Sequence, residues 1–210
     1  MMAVVSDIRE VRGLMELSLD GVVWLRVRKK HFAKRPLASG DAIDPEAYID
    51  SLAAIQAADC YEAALTMLDR AAHSSGNLRV KLERAGYVSP AAEAAVARLQ
   101  ENRLVDDQRY AERIAQSQLN KAAGAYAVRR KLRAKRLSEE DIDAAMEGFD
   151  DEQQAAACRA AAEKLWRKYA ALPAREGRAK LSQALARRGF GWDAIRSAMD
   201  GLTEDFDEYE

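Results

Sequence analysis

The feature that most constrains this chain is an internal repeat in its C-terminal part. Segments beginning at Lys81, Lys131 and Ala184 align without gaps, at offsets of 50 and 53 residues. Each has a leucine near its start, an apolar residue five positions later in a short turn, and a closing amphipathic helix. Such self-similarity indicates a supersecondary unit whose apolar face is completed by its own helices and by its neighbours.

Each repeat is predicted to contain three helices. In the middle repeat the first begins at Asp106 or Asp107, the second spans about 123–135, and Ser138 caps the third. Gly and Pro make up only 15 of the 210 residues, which favours helices because both residues break them.

The third repeat is predicted to begin with a longer helix over about 152–171 and to resume its helical pattern over 180–188. Its aromatic residues Trp166, Phe190 and Trp192 are interpreted as core or packing residues, because large rings are usually buried.

The N-terminal segment has a different pattern. LMELSLDGVVWLRVR alternates apolar and polar residues around Asp20-Gly21, a strong hairpin-turn signal, and residues 3–11 are a candidate partner strand. Asp44-Pro45 then predicts the start of a helix that reaches Ile55 or beyond.

The predicted fold class is mainly α: three tandem three-helix repeats in an elongated, curved array, with a small N-terminal β hairpin or meander. The predicted segments are a β extension (1–43), a linker helix (44–57), three repeats (58–105, 106–150 and 151–202) and an acidic tail (203–210).

The formal net charge of −1 conceals alternating basic and acidic blocks. A run of 8 acidic residues without a base spans 138–152, directly after a cluster of six basic residues at 129–136. Exposed helices usually intersperse the two signs, so this cluster is typical of a surface that faces a polyanion. The alternative is a basic face paired with acidic residues of neighbouring helices.

No motif points to catalysis, a metal or a cofactor. The chain has no GxxxxGK[ST] loop and no GxGxxG after a strand, and its two cysteines and two histidines form no ligand set. We therefore predict a binding protein without catalytic residues, metal or cofactor. The sequence shows no signal peptide and no apolar run long enough to span a bilayer, so we expect a cytoplasmic monomer that does not contact a membrane.

The middle repeat, with LVDDQRYAERI followed by AGAYAVRRKLRAKRLSEEDI, resembles the RecX family pattern of Leu-Asp-Asp-x-x-Tyr-Ala, a Gly, a basic helix and a short capped helix. HSSGNLRVKLERAGY and KLSQALARRGFGWDAI are similar to the first and last signatures of that family. The resemblance covers about residues 61–202. Two departures are Asn77, where a Glu commonly closes a capping box, and Arg136, where the second repeat usually has Gly.

The resemblance implies a regulator of the RecA recombinase that binds the RecA filament on single-stranded DNA and suppresses ATP hydrolysis and strand exchange. We expect the basic residues of the second and third repeats to contact RecA or DNA: Lys121, Arg129, Arg130, Lys131, Arg133, Lys135, Arg136, Lys180, Arg187 and Arg188. The family-motif residues are interpreted as structural: Asp106, Asp107, Tyr110, Ala111, Gly189 and Phe190.

Two other functions remain open at this point. One is a free-standing DNA-binding protein such as a helix-turn-helix repressor, although acidic third helices such as EEDIDAAMEG would be repelled by DNA. The other is a structural scaffold that binds no nucleic acid.

Overall fold

The computed structural model describes residues 2–203 and divides into two compact units, with the boundary after Asp106. The prediction of a mainly helical chain with an N-terminal strand meander is confirmed. The tail at 204–210 lies outside the described residues, and residue 203 is the last residue of a helix.

The first unit begins with three antiparallel strands, β1 (Ala3–Val11), β2 (Leu14–Leu19) and β3 (Val22–Arg28). Asp20 and Gly21 both have positive φ, as a two-residue hairpin turn of the predicted kind requires. The sequence did not predict β4 (Ala42–Ile43), which pairs with β1 and gives the sheet order β3-β2-β1-β4. Two residues are too short a run to show an alternating pattern.

Helices complete the first unit. They are a short α1 (Lys29–Phe32), then α2 (Pro45–Arg70), α3 (Ser75–Arg84) and α4 (Ser89–Glu101). The Asp44 side chain caps α2 by accepting a hydrogen bond from the backbone N–H of Glu46. Helix α2 continues past residue 57, where the sequence places the end of a linker helix, because no Gly or Pro interrupts the segment there.

The second unit contains six helices within residues 107–203. The second repeat forms α5 (Asp107–Leu119), α6 (Ala125–Ala134) and α7 (Glu139–Met146), and the third forms α8 (Asp151–Tyr169), α9 (Ala174–Arg187) and α10 (Trp192–Thr203). Helix α9 begins directly after Pro173, earlier than its periodicity suggested.

The three repeats share one packing scheme. The aligned leucines Leu82, Leu132 and Leu185 are all fully buried. The apolar turn residues Tyr87, Leu137 and Phe190 are also buried. The second and third repeats each close a small core of their own, whereas the core of the first repeat also includes Leu17 and Val27 of the strands.

Candidate nucleic-acid and protein interface

The predicted basic residues of the second repeat lie on α6 and in the turns at its two ends. We call this set the basic strip: Lys121, Arg129, Arg130, Lys131, Arg133, Lys135 and Arg136. Val128 and Leu132 face inward and are fully buried. Residues four apart share one face of a helix, so Val128 and Leu132 define the inner face of α6. The basic residues at 129–131 and 133 therefore lie towards the surface.

Two arginines of the strip are paired with acidic residues of α7 in the same repeat. Arg129 forms a salt bridge to Asp143. Arg133 donates two hydrogen bonds of 2.8 Å to Glu139, which raise the pKa of Arg133 and lower that of Glu139. Because exposed ion pairs contribute only about 0–1 kcal/mol, an incoming anion can compete for either arginine.

The remaining residues of the strip differ in how open they are. Arg130, Lys131 and Arg136 are exposed and form no salt bridge within residues 2–203. Lys121 is exposed in the turn after α5, whereas Lys135 is half-buried and interacts with its surroundings. The open positive charge of the strip therefore lies at Lys121, Arg130, Lys131 and Arg136.

In the third repeat, Lys180 pairs with Glu176 one turn earlier on α9, at 2.6 Å. Arg187 and Arg188 are exposed at the C-terminal end of α9. The backbone carbonyl of Arg188 accepts a hydrogen bond of 3.0 Å from the N–H of Gly124, just before α6. This contact brings the arginine pair next to the start of the helix that carries the basic strip.

Four of the family-motif residues lie at the start of α5 and along its first turn. Asp107 begins α5, directly after Asp106, and both aspartates interact with neighbouring groups. Tyr110 is half-buried and Ala111 fully buried in the core of the second repeat.

The turn of the third repeat requires glycine. Gly189 has φ +84°, and a Cβ there would lie 2.3 Å from the backbone nitrogen of Ala127. Phe190 follows and is buried, as predicted. In the second repeat Arg136 adopts the corresponding left-handed conformation with φ +57°, so the turn keeps its shape without glycine.

The interpretation of Trp192 as a core residue is wrong. Its side chain is 68% exposed at the first position of α10, and Tyr126 on α6 is 69% exposed. Both line a cleft that also contains the amide of Gln154. The alignment of the repeats indicates an exposed position for Trp192, because the residues at this position in the other two repeats are polar. They are Ser89 and Glu139, and both are exposed.

Within the part of the chain that the structure describes, no group of three or more His, Cys, Asp or Glu residues could hold a metal ion. Burial raises the pKa of Cys60 to about 12 and that of Cys158 to about 11, so both thiols are protonated near neutral pH. None of the helices described between residues 2 and 203 is both long and apolar enough to cross a bilayer.

Three family models match the chain: the first three-helix domain of RecX over residues 60–99, the second over 106–146 and the third over 151–199. Together they cover more than half of the chain.

Curated relatives and solved structures carry the same name. The chain is 36% identical over 137 residues to the regulatory protein RecX of Chlorobaculum tepidum, covering 65% of this chain and 83% of the relative. It is 33% identical over 144 residues to that of Vibrio campbellii, covering 69% and 92%.

A crystal structure of regulatory protein RecX matches with a TM-score of 0.64 and 28% identity, covering 94% of this chain and 99% of that one. RecX from Lactobacillus salivarius also has a TM-score of 0.64, covering 71% of this chain and 98% of that one, and at 23% identity it shows the fold alone.

Proposed function

The chain belongs to the RecX family, and from this membership we propose that it regulates the RecA recombinase by binding the RecA filament on single-stranded DNA. In this proposal binding suppresses ATP hydrolysis and strand exchange. The observation that supports it best is the open positive charge of the basic strip, which is exposed on the surface of the second repeat. A protein of this kind acts by occupancy, so it needs no catalytic group.

The basic strip fits a polyanion better than a neutral partner. Arginine binds phosphate and carboxylate with a planar fork of donors, and lysine binds them as a point charge. Arg129 and Arg133 are held by acids in this structure and can exchange those partners for phosphates or for carboxylates of RecA. The acidic α7 beside them argues against a helix that reads base edges in duplex DNA.

Charge reversal of the open residues tests the proposal. The variant R130E/K131E is expected to lose suppression of the RecA ATPase, because both side chains are exposed and neither forms an ion pair within residues 2–203. The matched control is K164E/R167E on α8, which makes the same change in net charge at two other exposed positions. Equal loss in both variants, or full suppression by R130E/K131E with an unchanged melting curve, would contradict the assignment of the basic strip.

Binding to free single-stranded DNA then distinguishes contacts with DNA phosphates from contacts with acidic groups of RecA. If the strip binds about five phosphates, affinity falls roughly a hundredfold between 50 and 200 mM salt, since the slope of log K is near −0.7 per phosphate. R130E/K131E should reduce that slope by about 1.4. If the strip instead contacts acidic groups of RecA, suppression falls while binding to free DNA is unchanged.

A further inference from the structure

A cleft in the second unit lies where the N-terminal ends of α6, α8 and α10 meet. Its volume is about 640 Å³, within the roughly 300–1,000 Å³ of typical ligand pockets. Tyr126 and Trp192 line it, and each exposes more than two thirds of its side chain. Large exposed rings are unusual on a soluble protein unless they serve as a contact surface.

One residue that lines this cleft carries a buried polar atom with no hydrogen-bond partner among the described residues. Gln154 is 7% exposed, and its Oε1 accepts a hydrogen bond of 2.9 Å from the backbone N–H of Ala125. Its Nε2 is buried and forms no hydrogen bond with any residue of the range 2–203. An unsatisfied buried donor is destabilising, so the cleft favours an occupant that carries a hydrogen-bond acceptor beside an apolar face.

The charged residues in and around the cleft limit which ligands it can bind. Asp151 and Asp193 line the cleft, so neither a phosphate nor an acidic side chain is favoured inside it. The surroundings are basic: Arg129 lines the cleft, Arg130 is next to it in sequence, and the carbonyl of Arg188 is bonded to Gly124 two residues before Tyr126. This combination suits a flat, uncharged group attached to an anionic backbone.

We propose that the cleft binds an unpaired base of single-stranded DNA. Trp192 and Tyr126 provide the stacking faces, and Gln154 Nε2 donates a hydrogen bond to an acceptor of the base, such as a thymine carbonyl oxygen. The sugar-phosphate backbone runs outside the cleft along the basic strip and Arg188. The inference rests on the proposed function and adds base stacking to its phosphate contacts, a combination that lets proteins bind single strands with little sequence preference.

The test compares two probes that have the same charge but differ in their bases. One is a short oligothymidine and the other is an abasic oligomer of equal length. W192A and Y126A are each expected to weaken oligothymidine binding about tenfold, because each removes an aromatic face on which a base stacks. Neither variant should alter binding of the abasic oligomer or the salt slope. W192F, which keeps an aromatic face, should restore most of the affinity.

The matched control is L104A, which removes an exposed apolar side chain of the first unit, far along the sequence from the cleft. The cleft inference is overturned if W192A and Y126A bind oligothymidine as tightly as wild type. It is also overturned if they weaken RecA suppression alone, because the cleft would then hold a protein segment. In both cases the proposed function stands as long as R130E/K131E still fails to suppress RecA, so the two failures are distinguishable.

Discussion

Two buried glutamines, one in each compact unit, differ in how many hydrogen bonds their side-chain amides form. In the first unit Gln56 accepts a hydrogen bond from the N–H of Val88 and donates one to the carbonyl of Gly86. In the second unit Gln154 accepts from Ala125, but its Nε2 has no partner within residues 2–203. In the first amide both the oxygen and the nitrogen bond to the fold, whereas the nitrogen of the second is available to donate to a ligand.

The surroundings explain the difference. Around Gln56 the β extension fills the available space: the N–H of Arg28 also donates to the carbonyl of Gly86, and Arg28 and Asp59 both hydrogen-bond the hydroxyl of Tyr87. Around Gln154 no comparable layer is present among the described residues, and the cleft remains. The glutamine whose amide oxygen and nitrogen both find partners in the chain is therefore structural here, whereas Gln154, which lines a cleft and keeps an unpaired donor among the described residues, marks a candidate binding site.

The largest expected effect concerns the close backbone approach beside the cleft. A Cβ at Gly124 would lie 2.1 Å from the carbonyl carbon of Gly189, so Gly124→Ala should lower the free energy of unfolding by about 3 kcal/mol, the upper end of the usual cost of overpacking. Gly13→Ala is the matched control, because it meets no neighbour and costs only the ~1–2 kcal/mol of a left-handed alanine. Urea unfolding of the full chain measures both, and equal effects would show that the approach of the two glycine turns is unimportant.

Substitution of the two buried glutamines is expected to have the next largest effect on the free energy of unfolding. Gln56→Leu leaves the N–H of Val88 without its partner and removes one of the two hydrogen bonds to the carbonyl of Gly86, which should cost about 2–3 kcal/mol. Gln154→Leu removes only the hydrogen bond from the N–H of Ala125 and should cost about 1–2 kcal/mol. Denaturant midpoints of the two variants provide the comparison. A larger loss for Gln154→Leu would contradict the view that its amide is only half used by the fold.

The first unit should also respond to pH. His31 is buried against Asp59, and burial lowers its pKa below the usual 6.5. The unfolded chain therefore binds a proton that the folded chain does not, so stability falls as the pH drops through about 6.5 towards the lower folded value. Unfolding measured between pH 7.5 and 5.5 should show this loss in wild type and a shallower slope in His31→Asn.

The smallest effect is expected at Arg136. Its φ of +57° suits glycine, which the first and third repeats have at this position. Arg136→Gly should raise the free energy of unfolding by up to about 1 kcal/mol. Glycine relieves the strain of the left-handed conformation, and this gain slightly exceeds the entropy cost of glycine. A thermal melt detects the shift, and a clear loss of stability would mean that the arginine side chain supports the turn.

The repeat alignment accounts for most of what could be read from the sequence about the second unit. It correctly placed the buried leucines and the apolar turn residues, because these positions depend on contacts within one short unit. The interpretation of Trp192 was wrong because its residue type was given more weight than its position in the alignment. The ion pairs of Arg129 and Arg133 were open alternatives, since charge blocks in a sequence do not reveal which acid each arginine meets.

The sequence by itself determined the helical class, the three repeats, the strand meander, the family and the concentration of basic residues in and beside α6. These follow from local periodicity, turn chemistry and residue type, which act over a few residues. Only the tertiary structure decided that two arginines of the strip are paired, that Gly124 meets Gly189, and that Tyr126, Gln154 and Trp192 share one cleft. Those arrangements depend on how helices distant in sequence pack together, and no local pattern encodes which side chains that packing leaves exposed or unsatisfied.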